Sequence, residues 1–283
     1  MTTAKDLITK TFLKIDLSST VAQLLGKFST TETHTALVYD GNTYLGVIEK
    51  RFLVERRIDP AIMKVGNAIK KRSKAKTPFY VPTLTEDTDI KDICKLMSTS
   101  DSHVLPVLKD KKVIGIVRAF DVALAIAQEY KGITCDKLGS MKPITASPQD
   151  SIDQVLTLLS KHSIDHLPLV NPDKTIAGIV SLSDLIHNAE FWRTESQHLP
   201  RAASHQGKPS GYGKGEKTSL LDLPIHNFMG AKTLCCTKPE TPVSTAVQNM
   251  AQSGTCSIIL VRENKPVGIM TLRDLLLDYS KAR

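Results

Sequence analysis

The chain of 283 residues is 41% hydrophobic, 23% charged and 5% aromatic, which is enough apolar material for two ordinary cores and too much for a disordered chain. No stretch reaches the roughly 18 to 20 consecutive apolar residues of a membrane helix, and Met1-Thr2-Thr3-Ala4-Lys5-Asp6 lacks the basic-then-apolar layout of a secretory signal, so a cytoplasmic protein without membrane partners is expected. The formal charge of +8 admits an anionic partner without choosing among nucleotide, nucleic acid and membrane phosphate.

Four times along the chain the same order recurs: an amphipathic helix, a short apolar strand, a polar turn and a strand carrying a glycine. The first unit has Val21, Leu24, Leu25 and Phe28 at helical spacing, an apolar strand over 36–39, the turn Asp40-Gly41-Asn42, then Gly46-Val47-Ile48-Glu49-Lys50-Arg51-Phe52-Leu53. In the second, Thr88 or Asp89 can cap a helix through Ile90, Ile93 and Met97. A strand over 104–108 and the turn Lys109-Asp110-Lys111-Lys112 lead to Gly115-Ile116-Val117-Arg118-Ala119-Phe120-Asp121-Val122 and a closing helix over 122–127. In the third, the capping box Ser151-x-x-Gln154 opens a helix through Ile152, Val155, Leu156 and Leu159. The strand His166-Leu167-Pro168-Leu169-Val170, the turn Asn171-Pro172-Asp173-Lys174 and Gly178-Ile179-Val180-Ser181-Leu182-Ser183-Asp184-Leu185 follow. The fourth has Thr241 as a cap before Pro242, apolar positions Val243, Val247 and Met250, a strand over 257–261, the turn Arg262-Glu263-Asn264-Lys265, and Gly268-Ile269-Met270-Thr271-Leu272-Arg273-Asp274-Leu275. The turns read as hairpin connections.

Each unit therefore reads strand, helix, strand, turn, strand, helix, an α+β pattern. One such unit has a small sheet whose apolar face needs cover, so units are expected to pack in pairs. The divisions fall at 1–70, 71–131, 132–190 and 220–283, with the central boundary near Lys131-Gly132 and an insertion over 191–219.

The fourfold pattern resembles the cystathionine-β-synthase (CBS) domain, whose tandem pairs are called Bateman modules. Chains made of four such repeats resemble the gamma regulatory subunits of AMP-activated protein kinase and their stand-alone archaeal counterparts. The resemblance implies β-α-β-β-α repeats packed as two Bateman modules in a flat disk, with AMP, ADP or ATP in clefts between paired units and no chemistry performed on it. It implies further that a regulated protein reads the bound state, and it admits a homo-oligomer.

In that family a G-h-x-[ST]-x-x-[DN] turn sets an acid against ribose hydroxyls and a hydroxyl near phosphate. The placement is physically apt, because the turn joins a strand to a helix N-terminus, where free N–H groups and the helix dipole favour an anion. Asp184 with Ser181 and Ser183, and Asp274 with Thr271, match it; Asp121 keeps the acid but has Arg118 in the hydroxyl place, where it can bind phosphate as a fork donor or fill the cleft. The first unit carries Glu49 for the hydroxyl and Phe52 for the acid, so its site is expected to be dead. His166, directly before Leu167-Pro168, matches a basic phosphate contact; His103 is shifted one place toward the helix. Ile144, Thr145 and Ala146 fall where relatives sandwich adenine. An acid at such a turn can equally be a helix cap, and the strand positions can equally be core.

The five cysteines are odd in number and show no C-x-x-C spacing, which reads as reduced, mostly buried thiols, with Cys235 and Cys236 as one buried and one half-exposed strand position. The run from Lys64 to Lys76 carries Lys64, Lys70, Lys71, Arg72, Lys74 and Lys76 and no acid, a candidate grip for nucleic-acid phosphates or a solvated linker. The insertion holds Trp192 and many glycines, but Lys208 and Gly215 break any phosphate-loop match. No nucleophile, paired-carboxylate or metal-ligand motif stands out, so neither an enzyme nor a metal site is expected.

Overall fold

The computed structural model describes residues 2–31, 33–50, 53, 63–68, 81–162, 164–181, 185, 220–229 and 234–281. The fold is mixed α+β and follows the repeated units. Unit one contains β1 (Leu13–Asp16), α2 (Val21–Thr31), β2 (Thr35–Asp40) and β3 (Thr43–Glu49), preceded by the single turn α1 (Ala4–Leu7) and followed by α3 (Val65–Ala68). Unit two contains α4 (Ile90–Ser100), β4 (Val104–Lys109), β5 (Lys112–Arg118) and α5 (Ala119–Ile126), with a 3-10 turn over Ala127–Tyr130. After α6 (Cys135–Leu138), unit three contributes α7 (Ile152–His162), β6 (His166–Val170) and β7 (Ile176–Ser181). Unit four has β8 (Cys236–Thr237), α8 (Val243–Ser253), β9 (Ser257–Arg262), β10 (Lys265–Thr271) and α9 (Leu272–Lys281).

The first helix of each unit buries the periodic residues expected of it, apart from the half-buried Leu25, and starts at a polar side chain in three cases. Asp89 accepts from the Lys91 N–H at 2.6 Å. Ser151 and Gln154 bond reciprocally at 2.8 and 3.2 Å, and Thr20 and Gln23 form the same box at 3.0 and 3.2 Å. The fourth start corrects the expectation: Pro242, not Thr241, is the N-cap, and the Thr241 hydroxyl is bonded to Thr237 at 2.7 Å.

The sequence pattern puts a leading strand in every unit, but its length differs for a covalent reason. In units one and four it is a strand, β1 parallel to β2 and β8 parallel to β9. In units two and three it shrinks to single parallel bridges, Leu84 to Val107 and Ala146 to Leu169. The middle strands carry Pro106 and Pro168 there, opposite Ile116 and Ile179, where unit four has Ile259 opposite Ile269. Ile259 donates its N–H to the Cys235 carbonyl at 3.0 Å, a bond that proline cannot make. The hairpin turns follow the sequence reading. Asp110, Lys111, Glu263 and Asn264 all take positive φ, the geometry of two-residue turns that match strand twist.

Units pair by exchanging the segments that lead into them. The segment before unit one lies on unit two, with Thr9 and Ile116 exchanging backbone hydrogen bonds at 2.8 and 2.9 Å, while the segment after unit one returns to it through Val65 N–H to Ser19 and Val21 N–H to Met63. Units three and four repeat the device. Ser140 exchanges two bonds of 2.9 Å with Ile269, and Ile152 donates to Leu223. This explains the repeated glycine: a Cβ on Gly115 would sit 2.8 Å from the Thr9 carbonyl oxygen, and one on Gly268 would sit 2.8 Å from that of Ser140.

Units two and four share one large core, which also takes in Leu37 and Val47 of unit one and in which α9 packs on α4 and α5 and α8 packs on α5. Tyr130 donates to Asp278 at 2.8 Å and Tyr279 to Glu129 at 3.2 Å across that seam. Units one and three have cores of their own, and Leu25 touches both. Among the described residues no helix is long and apolar enough to cross a membrane.

Candidate functional site

Three of the four strand-to-helix turns carry an acid three residues after the hydroxyl position. In unit four, β10 delivers Thr271 and α9 delivers Asp274. The Thr271 N–H and hydroxyl both donate to Asp274 Oδ2, at 2.8 and 2.9 Å, and the Asp274 N–H reaches the Thr271 hydroxyl at 3.4 Å. Asp274 is half-buried, and burial outweighs these bonds, so its pKa is raised. The turn holds a carboxylate in place at a cost to its ionised form, and among the described residues Oδ1 takes no partner. In unit two, the Arg118 fork closes on Asp121, Nε to Oδ2 at 2.7 Å and Nη2 to Oδ1 at 2.8 Å, occupying both oxygens. In unit three, Ser181 ends β7 in a buried position opposite His166, whereas Ser183 and Asp184 lie outside the described residues.

Ala146 is buried and bridges β6: it donates to the Pro168 carbonyl at 3.1 Å and accepts from Val170 at 2.9 Å. Ile144 packs at the margin of the unit-three core and Thr145 is half-buried. Ala146 thus lies alongside the strand that His166 opens, bridged to Leu169, and His166 pairs with Ser181 on the next strand, so all three belong to one small sheet of unit three. Lys70, Lys71, Arg72, Lys74 and Lys76 lie outside the described residues; Lys64 is described, with its backbone bridged to Thr20.

A second constellation forms where strand ends from all four units converge. Glu49, at the end of β3, is buried and accepts from the Ser102 hydroxyl at 2.8 Å; its carboxylate lies 3.6 Å from His103 Nδ1. His166 Nε2 lies 3.9 Å from Cys256 Sγ, and His103 also hydrogen-bonds that sulfur. Burial opposes the charge on both imidazoles, but Cys256 and Glu49 lift His103 well above its ordinary value, and Cys256 followed by Asp165 raises His166. Burial likewise opposes the Cys256 thiolate, and the two histidines prevail, bringing its pKa down to about 5. The His103 side chain is 41% exposed, so water reaches this crevice.

The residues missed from the sequence are therefore Glu49, dismissed as a replaced hydroxyl, and Cys256, grouped with inert thiols. A positional signal existed: His34, His103 and Cys256 each precede a middle strand, and their carbonyls accept equivalent N–H groups from Lys50, Ala119 and Leu272. The other cysteines also depart in part from expectation. Cys94 and Cys135 are buried, but Cys235 and Cys236 are both half-buried, because β8 is a two-residue edge strand. Burial pushes the Cys94 thiol up to about 12 and those of Cys135 and Cys236 to about 11. Among the described residues no group of three or more His, Cys, Asp or Glu is arranged to hold a metal ion.

These paired hairpins, exchanged lead segments and strand-to-helix turns are those of the CBS domain. The family model for that domain matches residues 77–128, 137–190 and 231–280, more than half of the chain, and the chain belongs to the CBS-domain family. A Thermofilum pendens protein named "Uncharacterized 33.4 kDa protein in ribosomal RNA operon" is 23% identical over 241 residues, 85% of this chain and 74% of its own length. Inosine-5'-monophosphate dehydrogenase of Bacillus subtilis is 27% identical over 169 residues, 59% of this chain; the chain spans about a third of that enzyme, 33%. Among solved structures, a Methanocaldococcus jannaschii protein described as a candidate archaeal homologue of g-AMPK superposes with a TM-score of 0.78 at 16% identity, covering 98% of this chain and 100% of that one. An uncharacterized conserved protein from Pyrococcus horikoshii superposes at 0.61 with 18% identity and the same coverage.

Proposed function

We propose that this protein is a regulatory adenine-nucleotide sensor without catalytic activity, built of four CBS repeats in two Bateman modules. Residues 13–49, which the family model does not match, supply the first repeat, since they reproduce its helix and hairpin. AMP, ADP or ATP binds between units three and four: Asp274 and Asp184 take the ribose hydroxyls, Thr271, Ser181 and Ser183 lie toward phosphate, His166 supplies a positive charge, and Ile144, Thr145 and Ala146 flank the base. Asp121 is shut by Arg118, and the Glu49 turn is dead. The observation that carries this reading is the unit-four turn, where a half-buried carboxylate with a raised pKa is held by its own threonine and keeps one oxygen unshared among the described residues. The bound state then biases a regulated protein partner in the cytoplasm.

Mass spectrometry of small molecules released from the purified native protein tests this. An adenine nucleotide at near-stoichiometric amount is expected; its absence, together with no nucleotide uptake on incubation, contradicts the reading.

A second binding mode, phosphate neutralisation of nucleic acid, rests on the acid-free basic run. Anisotropy titration should then weaken steeply with salt, and neutralising Lys70, Lys71 and Arg72 should reduce the salt slope by roughly 0.9 for each phosphate left without its cation.

A further inference from the structure

Four of the five cysteines sit where thiols are inert, and the fifth does not. Cys256 is half-buried in a crevice that water reaches, at the convergence of strand ends from all four units, and two imidazoles from other units flank its sulfur. His166 comes from β6 and His103 from the approach to β4. Further charges act on the cluster from the elements around it: Glu49 at the end of β3 on His103, and Asp165 before β6 on His166. A cysteine beside two imidazoles that both favour its ionised form, partly exposed, has the environment of a nucleophilic thiolate rather than a core thiol.

We propose that Cys256 is a modification site that undergoes reversible thiol–disulfide exchange with low-molecular-weight disulfides of the glutathione class. The Cys256 thiolate attacks one sulfur of R–S–S–R along the S–S axis. The new Sγ–S bond forms as the old S–S bond breaks, and the departing thiolate takes a proton from the His166 or His103 imidazolium, leaving a neutral imidazole and R–SH. No net oxidant beyond the disulfide is needed. The modified centre no longer has the thiolate that held both histidines charged and gains bulk where four units meet, so the site couples the redox state of the surroundings to the packing of the units. Exchange is reversible for the same electrostatic reason that makes it fast, because a stabilised thiolate is also a good leaving group.

The test uses the full native chain and an aromatic disulfide reagent from pH 4 to 9, followed by peptide mapping. One thiol is expected to react at least tenfold faster than the others at pH 6, to map to Cys256, and to show a midpoint near 5. Incubation with oxidised glutathione should add one adduct at that residue, removed by dithiothreitol. Cys256→Ser should abolish the fast phase, and His166→Gln or His103→Gln should move its midpoint upward by about one pH unit or more with helix content unchanged. Because the wild-type mapping is decisive alone, misfolding of a variant does not rescue the proposal. It is overturned if Cys256 titrates near the ordinary thiol value of about 8.5, if a different cysteine carries the fast phase, or if oxidised glutathione in excess leaves Cys256 unmodified.

Discussion

Units two and four share one core and the same strand-to-helix turn, yet the chemistry of the turn is opposite. In unit four the hydroxyl of Thr271 organises Asp274 and leaves one carboxylate oxygen without a partner among the described residues; in unit two the guanidinium of Arg118 takes both oxygens of Asp121. A single side chain, three residues before the acid, thus decides whether the same backbone presents a carboxylate with an open oxygen or a closed ion pair. The turn's geometry is not itself a function, since a capped helix start satisfies either unit. What separates them is the cost of ionising Asp274, whose burial raises its pKa and which gains from a new hydrogen-bonding partner.

The comparison can be broken most forcefully at what the two units have in common. Gly115→Val and Gly268→Val should each destabilise by roughly 1–3 kcal/mol or more, read as the denaturant midpoint, because each added side chain meets a backbone carbonyl of the exchanged segment. Equal losses would show that the exchange supports both pairs alike; an unaffected midpoint would contradict the packing described. Next, Arg118→Thr gives unit two the unit-four turn, and the nucleotide stoichiometry is expected to rise by one. Its stability cost should be small, within about 1 kcal/mol, because the Arg118 side chain is 53% exposed.

A smaller effect follows from the pKa of Asp274. Its folded value lies above the unfolded one, so its contribution to stability is fully present below the unfolded pKa and is lost as pH rises through the folded pKa. Asp274→Asn, which retains a capping oxygen, should therefore gain stability relative to wild type between about pH 3 and pH 7; a constant difference in thermal midpoint across that range would contradict it. The smallest change expected is at Ser257, which opens β9 as His166 opens β6 and whose buried hydroxyl has no hydrogen-bond partner among the described residues. Ser257→Ala should be neutral or stabilising, by less than about 1 kcal/mol in urea unfolding.

Much of this fold is written in local chemistry. The helix starts at Asp89 and Ser151 are short-range polar contacts, and the positive φ of Asp110, Lys111, Glu263 and Asn264 follows from turns of two residues between paired strands. Pro106 and Pro168, visible in the chain, explain why two leading strands shrink to bridges, since each removes the donor the ladder would use. The glycines of units two and four are equally visible, but their reason is not, because the carbonyl each admits belongs to a segment far away in sequence, Thr9 for Gly115 and Ser140 for Gly268. The cysteine–histidine centre is hidden for the same reason: Glu49, His103, His166 and Cys256 are far apart in sequence and meet only when all four units assemble. At the turns, the pairing of hydroxyl and acid is legible, and so is Arg118 as a fork donor or a filler of the cleft; which turn leaves an oxygen open is set by the folded side-chain geometry.

The most direct measurement is calorimetric titration of AMP, ADP, ATP and S-adenosylmethionine into the wild-type protein and into Asp274→Asn. Saturable heat with an adenine nucleotide, at least tenfold weaker in the variant and unchanged in Asp121→Asn, is the predicted result. No heat with any of the four, or equal affinity in wild type and Asp274→Asn, would contradict a ribose contact at the unit-four turn.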